Sequence, residues 1–159
     1  MMSGYQLPLA LDDNTLAMAP LSQGASVVTD GEELPTLTEY AFDFELLDFK
    51  LDENGQMYTV ERNEALKVWL YFALLTERYK YRANSSDYGT EIDRMMGLNV
   101  SNGIKRAELE RTIREAILIC PYVKSIKSLT VENNDGLVTV EVEVESVYNK
   151  EGVRLDVNI

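Results

Sequence analysis

The sequence predicts an α+β fold, in which a small antiparallel sheet packs on two or three helices and an extended N-terminal arm precedes them. Three observations carry this. Val138, Val140, Val142 and Val144 alternate with Thr139, Glu141, Glu143 and Glu145, the period of a strand with one dry face and one wet face. Two stretches in the middle of the chain repeat apolar residues at helical spacing. The first 41 of the 159 residues hold Pro8, Pro20 and Pro35 and keep neither period, which reads as an extended arm (1–41) ahead of a folded domain (42–159).

The folded part opens with a strand over Phe42–Leu51, the turn Asp52-Glu53-Asn54-Gly55 and a second strand over Gln56–Val60, since Asn-Gly between apolar runs marks a hairpin. Asn63 can cap the helix that follows. In that helix Leu66, Trp69, Leu70, Ala73 and Leu74 form one stripe and Val68, Phe72, Leu75 and Tyr79 a second, so it is expected between two layers. Arg82–Tyr88 reads as loop, Thr90–Met96 as a short helix and Gly97 as its stop. A third helix starts at Ser101 or Asn102. It carries the stripe Leu109, Ile113, Ala116, Ile117 and Cys120 opposite Arg106, Glu110, Arg111, Arg114 and Glu115, and Pro121 ends it. Three strands complete the chain, over Val123–Glu132, Leu137–Val147 and Val153–Ile159, the first two joined by Asn133-Asn134-Asp135-Gly136.

Composition excludes much chemistry. No histidine is present, which removes Ser-His and Cys-His nucleophiles and imidazole metal sites. A single cysteine, Cys120, allows no intrachain disulfide, and its place on an apolar helix stripe makes it a buried, inert thiol. Acidic residues outnumber basic ones 27 to 15 for a net charge of −12, the wrong sign for a nucleic-acid backbone. No Lys or Arg precedes Lys50, while Asp12, Asp13, Asp30, Glu32, Glu33 and Glu39 all do, so the apolar residues near the start lack the positive flank of a signal peptide. The apolar run Trp69–Leu75 is far shorter than the ~20 residues that span a bilayer, and no membrane partner is expected.

Carboxylates could pair for glycoside hydrolysis, which needs two flanking the sugar about 5 to 9.5 Å apart. Asp43, Glu45, Asp48 and Asp52 form the nearest cluster, and Glu77 with Asp87 another. Neither spacing is specific, and solvated strand faces and turns account for acids this numerous. Asp52–Gly55 lacks the alternating oxygen ligands of a calcium loop. The expectation is no catalytic residue, no metal and no cofactor.

More informative is Thr76-Glu77-Arg78-Tyr79-Lys80-Tyr81-Arg82, followed by Asp87-Tyr88-Gly89-Thr90-Glu91-Ile92. A buried helix runs into a charged, aromatic loop, and Tyr and Arg are the side chains that anchor interfaces. Leu75-Thr76-Glu77-Arg78-Tyr79-x-Tyr81 with Tyr88-Gly89-x-Glu91-Ile92, then a Gly and a Lys/Arg/Glu-rich helix, resembles the baseplate sheath-initiator family of contractile phage tails, its Gram-positive prophage branch above all. The resemblance spans about residues 42–159. Members of that family usually carry Trp and Asn just before the Tyr-Gly pair, where this chain has Ser86 and Asp87.

The resemblance implies a structural baseplate component of a phage tail or tail-like bacteriocin, assembled in the bacterial cytoplasm, that links the wedge to the first sheath ring and templates the sheath. A tail peptidoglycan hydrolase is the alternative. The resemblance places wedge contacts at Glu77 and Arg78, and the charged, aromatic loop extends the expected wedge surface to Tyr79, Tyr81, Tyr88 and Gly89. Sheath contacts are expected at Val153, Arg154, Leu155, Asp156, Val157, Asn158 and Ile159, where alternation up to the last residue gives a short strand that another chain could extend. Wedge proteins and the sheath protein are the expected partners, with tube or hub proteins reached through the arm. Six copies per baseplate are expected, from a chain that is monomeric in isolation.

Overall fold

A computed structural model describes residues 34–80, 87–96, 101–134 and 137–159. Ten elements follow in order: β1 (Thr38–Tyr40), β2 (Phe42–Asp43), β3 (Asp48–Phe49), β4 (Thr59–Glu61), α1 (Arg62–Leu75), α2 (Ile92–Met96), α3 (Asn102–Leu118), β5 (Val123–Asn134), β6 (Leu137–Ser146) and β7 (Gly152–Asn158). The architecture is α+β with antiparallel pairing in each of three small sheets: β1 with β4, β2 with β3, and β5-β6-β7. Among the described residues no helix is long and apolar enough to cross a membrane.

The β5-β6-β7 sheet presents one apolar face to the helices, with α3 over β5 and α1 over β7. Val138, Val140, Val142 and Val144 of β6 are buried, as their alternation predicts, and Glu141 on the opposite face is exposed. Register assembles the core in rows. Leu129, Val142 and Leu155 lie abreast, as do Val131, Val140 and Val157.

β5 reaches that face by an irregular route. Its apolar residues Val123, Ile126 and Leu129 are spaced by three, which would scatter them over both faces of a regular strand. Register shifts between Val123 and Ser125 and between Ile126 and Ser128 leave Lys124 and Lys127 without partners in the ladder. Each bulge adds one residue, so Val123, Ile126 and Leu129 oppose Ser146, Val144 and Val142 on the inner side.

Helix α1 is buried on both flanks, as its two stripes predict: Ala65, Leu66, Val68, Trp69, Leu70, Tyr71, Ala73 and Leu74 are all inaccessible or nearly so. Its ends differ from expectation. Asn63 does not cap it; the helix starts at Arg62 with no side-chain cap. The Asn63 amide instead ties the helix to the sheet, because Oδ1 accepts from Ser146 Oγ at 2.6 Å and Nδ2 donates to Asn149 Oδ1 at 3.0 Å. The second stripe is buried only at its start: Val68 is covered, Phe72 is half-buried, Leu75 is exposed, and Tyr79 lies beyond the helix and is 66% exposed.

The predicted strand Phe42–Leu51 is also corrected, since it folds back on itself as β2 and β3. Asp43 starts this turn: its Oδ1 accepts from the backbone N–H of Glu45 and Leu46 at 2.9 and 3.0 Å. The Asp52–Gly55 turn forms as expected, with Asp52 Oδ1 accepting from Asn54 and Gln56 and Gly55 at φ 77°. It joins only the short bridge between Leu51 and Met57. Phe42 anchors the double turn on α1, with its ring 5.3 Å from Tyr71 and 5.0 Å from Phe72.

β1 lies within the stretch read from sequence as arm, and pairs with β4 through Thr38–Glu61, Glu39–Val60 and Tyr40–Thr59. Leu37 secures it from the other side, donating its N–H to the Tyr148 hydroxyl at 2.8 Å. Residues 1–33, and with them the rest of the arm, lie outside the described residues, as do Arg82, Gly97 and the Asp135-Gly136 half of the last turn.

Pairing of β1 turns Glu39 inward, where it is 5% exposed. Desolvation pushes its carboxyl from 4.5 up to about 7, because burial disfavours the charged form. Below pH 4.5 the folded and unfolded chains both hold this proton; between about 4.5 and 7 only the folded chain does. Stability should therefore fall as pH rises across that window, by up to about 1.4 kcal/mol per unit. Urea unfolding of the wild type and Glu39→Gln at several pH values checks this: the variant should lack this component, so a wild-type and variant difference that is flat with pH refutes the assignment.

Candidate functional site

The segment that follows α1 is fixed by backbone pairing before any side chain acts. Thr76 leaves the helix with extended φ and ψ of −82° and 127°. Its N–H and hydroxyl both donate to the Phe72 carbonyl, at 2.9 and 2.7 Å. The chain then runs parallel to Gly89-Thr90, with Glu77 opposite Thr90. Arg78 N donates to Thr90 O and Thr90 N to Thr76 O, each at 2.8 Å. The Thr90 hydroxyl completes the clamp by donating to Leu74 O at 3.2 Å.

This clamp explains the Tyr88-Gly89 pair. Gly89 has φ 101°, and a Cβ built on it would sit 2.6 Å from the Thr76 carbonyl oxygen. The position accepts glycine on both counts. Tyr88 is buried, its ring 5.3 Å from Trp69 in an edge-on contact. Burial, and after it the neighbouring Glu39, raises its hydroxyl pKa. Of the residues expected to face a wedge partner, Tyr88 and Gly89 therefore shape the site from inside. Tyr79 is exposed at φ 69°, and Tyr81 lies outside the described residues. Glu77 and Arg78 are half-buried and do not pair with each other: Glu77 Oε2 meets Lys80 Nζ at 2.8 Å, and Arg78 Nε donates to Gly89 O at 3.2 Å.

The second expected site is β7. Val153, Leu155 and Val157 point inward and are at most 7% exposed, so their side chains belong to the core. Val138 and the terminal Ile159 exchange both backbone hydrogen bonds, at 3.0 and 2.8 Å. Antiparallel ladders alternate bonded and non-bonded pairs. In the observed register Val153, Leu155 and Val157 thus bond to β6, while the N–H and C=O groups of Arg154, Asp156 and Asn158 point away from it. Among the described residues no strand pairs with that outer edge. The exposed side chains of these three residues lie on the wet face, where Arg154 reaches Glu141 at 3.9 Å and Asp156 at 3.6 Å.

Among the described residues no strand pairs with the outer edge of β5 either, but its two bulges distort it, and bulges are a common means of blunting an edge. β7 pairs without a register shift along its length. The regular edge was legible from the terminal alternation. The blunted one was missed, although the spacing of Val123, Ile126 and Leu129 signals it.

Two of the carboxylates weighed for catalysis are held within turns. Asp43 and Asp52 accept backbone N–H groups in their turns, Asp43 from Leu46 and Glu45 and Asp52 first from Gln56, which lowers both pKa values. The Cys120 thiol is buried and pushed up to about 12, chiefly by desolvation. No group of three or more potential metal ligands occurs among the described residues.

The fold resembles the crystal structure of a candidate tail lysozyme from Geobacter sulfurreducens, with a TM-score of 0.52 and 20% identity over 60% of this chain and 87% of that one. At that identity the likeness carries the fold and not the activity. Residues 38–149 match the contractile injection system sheath initiator family, and the chain belongs to it. It is also similar to Phage-like element PBSX protein XkdS of Bacillus subtilis (strain 168), at 25% identity over 134 residues, covering 82% of this chain and 89% of the relative. The protein is a structural component of a phage-type contractile tail.

Gly89 gives a direct test of the clamp. Gly89→Ala forces a Cβ against the Thr76 carbonyl at a positive φ, and should destabilise the protein by about 1–3 kcal/mol. Chemical denaturation measures it; a variant as stable as wild type would show that the two segments are not held together as described.

Proposed function

We propose that this chain links the baseplate wedge to the first sheath ring, with β7 as the template on which sheath strands begin to pair. The observation that carries this reading is the edge of β7: a regular strand, anchored by three core side chains, with the backbone groups of Arg154, Asp156 and Asn158 directed outward. Strand addition uses such an edge. Each backbone bond contributes only about 0.5–1.5 kcal/mol net, so several in register are needed for a lasting junction.

The wedge side of the link is the clamped segment after α1. Glu77, Arg78 and Tyr79 are its accessible members, with Tyr81 as the continuation, and Tyr88 and Gly89 set its shape. The acidic arm reaches tube or hub proteins. Six copies surround the tube in the assembled baseplate, while the free chain is monomeric, because a net charge of −12 opposes self-association. The role is that of a scaffold and not of a hydrolase. It is supported by the family and by the turn bonds that occupy Asp43 and Asp52.

Asp156→Pro tests the template. Proline deletes the outward N–H of residue 156 and leaves the bonds to β6 intact, and Leu155 before it is already extended as proline requires. The variant should keep its far-ultraviolet circular dichroism, and electron microscopy should show tubes and baseplates without sheath. Asp156→Asn, which retains the backbone donor, should build normal tails. A folded Asp156→Pro protein that still starts sheath normally refutes the template.

A further inference from the structure

The turn between β2 and β3 carries at its tip two apolar residues, Leu46 and Leu47, that stay out of the core. Asp43 closes it by accepting two backbone N–H groups, and Leu47 then adopts φ 56°. Glycine and asparagine take that conformation readily, whereas a branched side chain such as leucine is strained in it. The strain hides nothing from water: Leu46 is 79% and Leu47 63% exposed. The base of the turn is rigid nonetheless. The Phe42 ring lies 5.4 Å from Phe44 and from Phe49, and both Phe42 and Phe44 contact Tyr71 of α1. Two leucines are thus held in solvent on a fixed mount, and Glu45 and Asp48 flank them.

We propose that the Leu46–Leu47 tip is a preformed knob that docks into an apolar pocket rimmed by Lys and Arg on another protein of the tail. Charge selects this occupant. A two-fold pairing with a second copy of the chain would bring Glu45 and Asp48 against themselves. The N-terminal segment has no Lys or Arg before Lys50 and carries Asp12, Asp13, Asp30, Glu32 and Glu33. An anionic membrane or a nucleic acid meets the same repulsion. A basic-rimmed protein pocket receives the leucines and matches the flanking carboxylates, and because the tip is already in shape, little ordering is lost on docking. The inference rests on the tail reading above but not on the β7 edge.

The test places the photo-crosslinking residue benzoylphenylalanine at position 46 in assembled tail particles and maps the product by mass spectrometry. The expected product joins residue 46 to a different tail protein, at a surface bearing Lys or Arg. Crosslinks confined to this chain, to a surface without basic residues, or absent altogether overturn the proposal. A double variant, Leu46→Ser with Leu47→Gly, suits the backbone conformation and should fold with an unchanged circular dichroism spectrum. Its content in purified tails should drop at least about tenfold, since burying two leucines is worth more than that factor. Glu45→Lys with Asp48→Lys should lower it too. Normal incorporation of the folded leucine variant refutes the knob. That result is separable from failure of the template, because Asp156→Pro removes sheath while leaving the chain in the baseplate.

Discussion

Burial of α1 on both flanks is the constraint from which the rest of the structure follows. A fourteen-residue helix is marginal by itself in water, so this one exists because it packs on both the sheet and α3, with Leu66, Leu70 and Leu74 losing essentially all their exposure, Tyr71 meeting Phe42 and Trp69 meeting Tyr88. Each such side chain contributes roughly 1.5–3 kcal/mol. The same helix therefore fixes three features that lie far apart in sequence. Tyr71 and Phe72 carry the β2–β3 turn through Phe42, Leu74 and Thr76 carry the clamp onto Thr90, and the sheet-facing side supports β7.

The sheet turns that support into asymmetry. β6 is paired on both sides, which makes β5 and β7 the outer strands of the sheet. Bulges in β5 let a strand with three-residue apolar spacing face the core, and they break the outer edge as a consequence. The regular pairing of β7 leaves its edge intact. A flat, unprotected edge is an aggregation hazard in an isolated protein. Here the hazard is offset by net charge and by shortness, since the strand has only seven residues.

The sequence made some of this legible and concealed the rest for identifiable reasons. The helices and the last three strands could be read because burial on one or two faces imposes a clean period, as in Val138–Val144. The hairpin region could not, because β2 and β3 have two residues each and no period develops over so short a run. Asp43 was the available signal there, as a side chain able to close a turn, but it was weighed for catalysis. Asn63 was read as a local cap, while its bonds go to Ser146 and Asn149, more than eighty residues away. At the candidate site, the positive φ expected of Gly89 is present, while Tyr88, expected to face a partner, is buried. Their burial depends on how the 77–78 and 89–90 segments meet, which spacing alone does not reveal.

Recognition through a strand edge and through a strained turn, the two surfaces proposed above, would place different demands on sequence. At β7 the outward-facing groups are backbone N–H and C=O, so the requirement on Arg154, Asp156 and Asn158 is that they stay extended and that none be proline. The strict requirement falls on Val153, Leu155 and Val157, which set the register by fitting the core. At the β2–β3 turn the order is reversed: the backbone would be more relaxed with glycine at 47, and only the exposed side chains give leucine a purpose there. A scaffold with both kinds of surface can exchange most of its wet-face residues and still assemble. Its tightest constraints lie in the helix that mounts the two surfaces, whose buried side chains fix both.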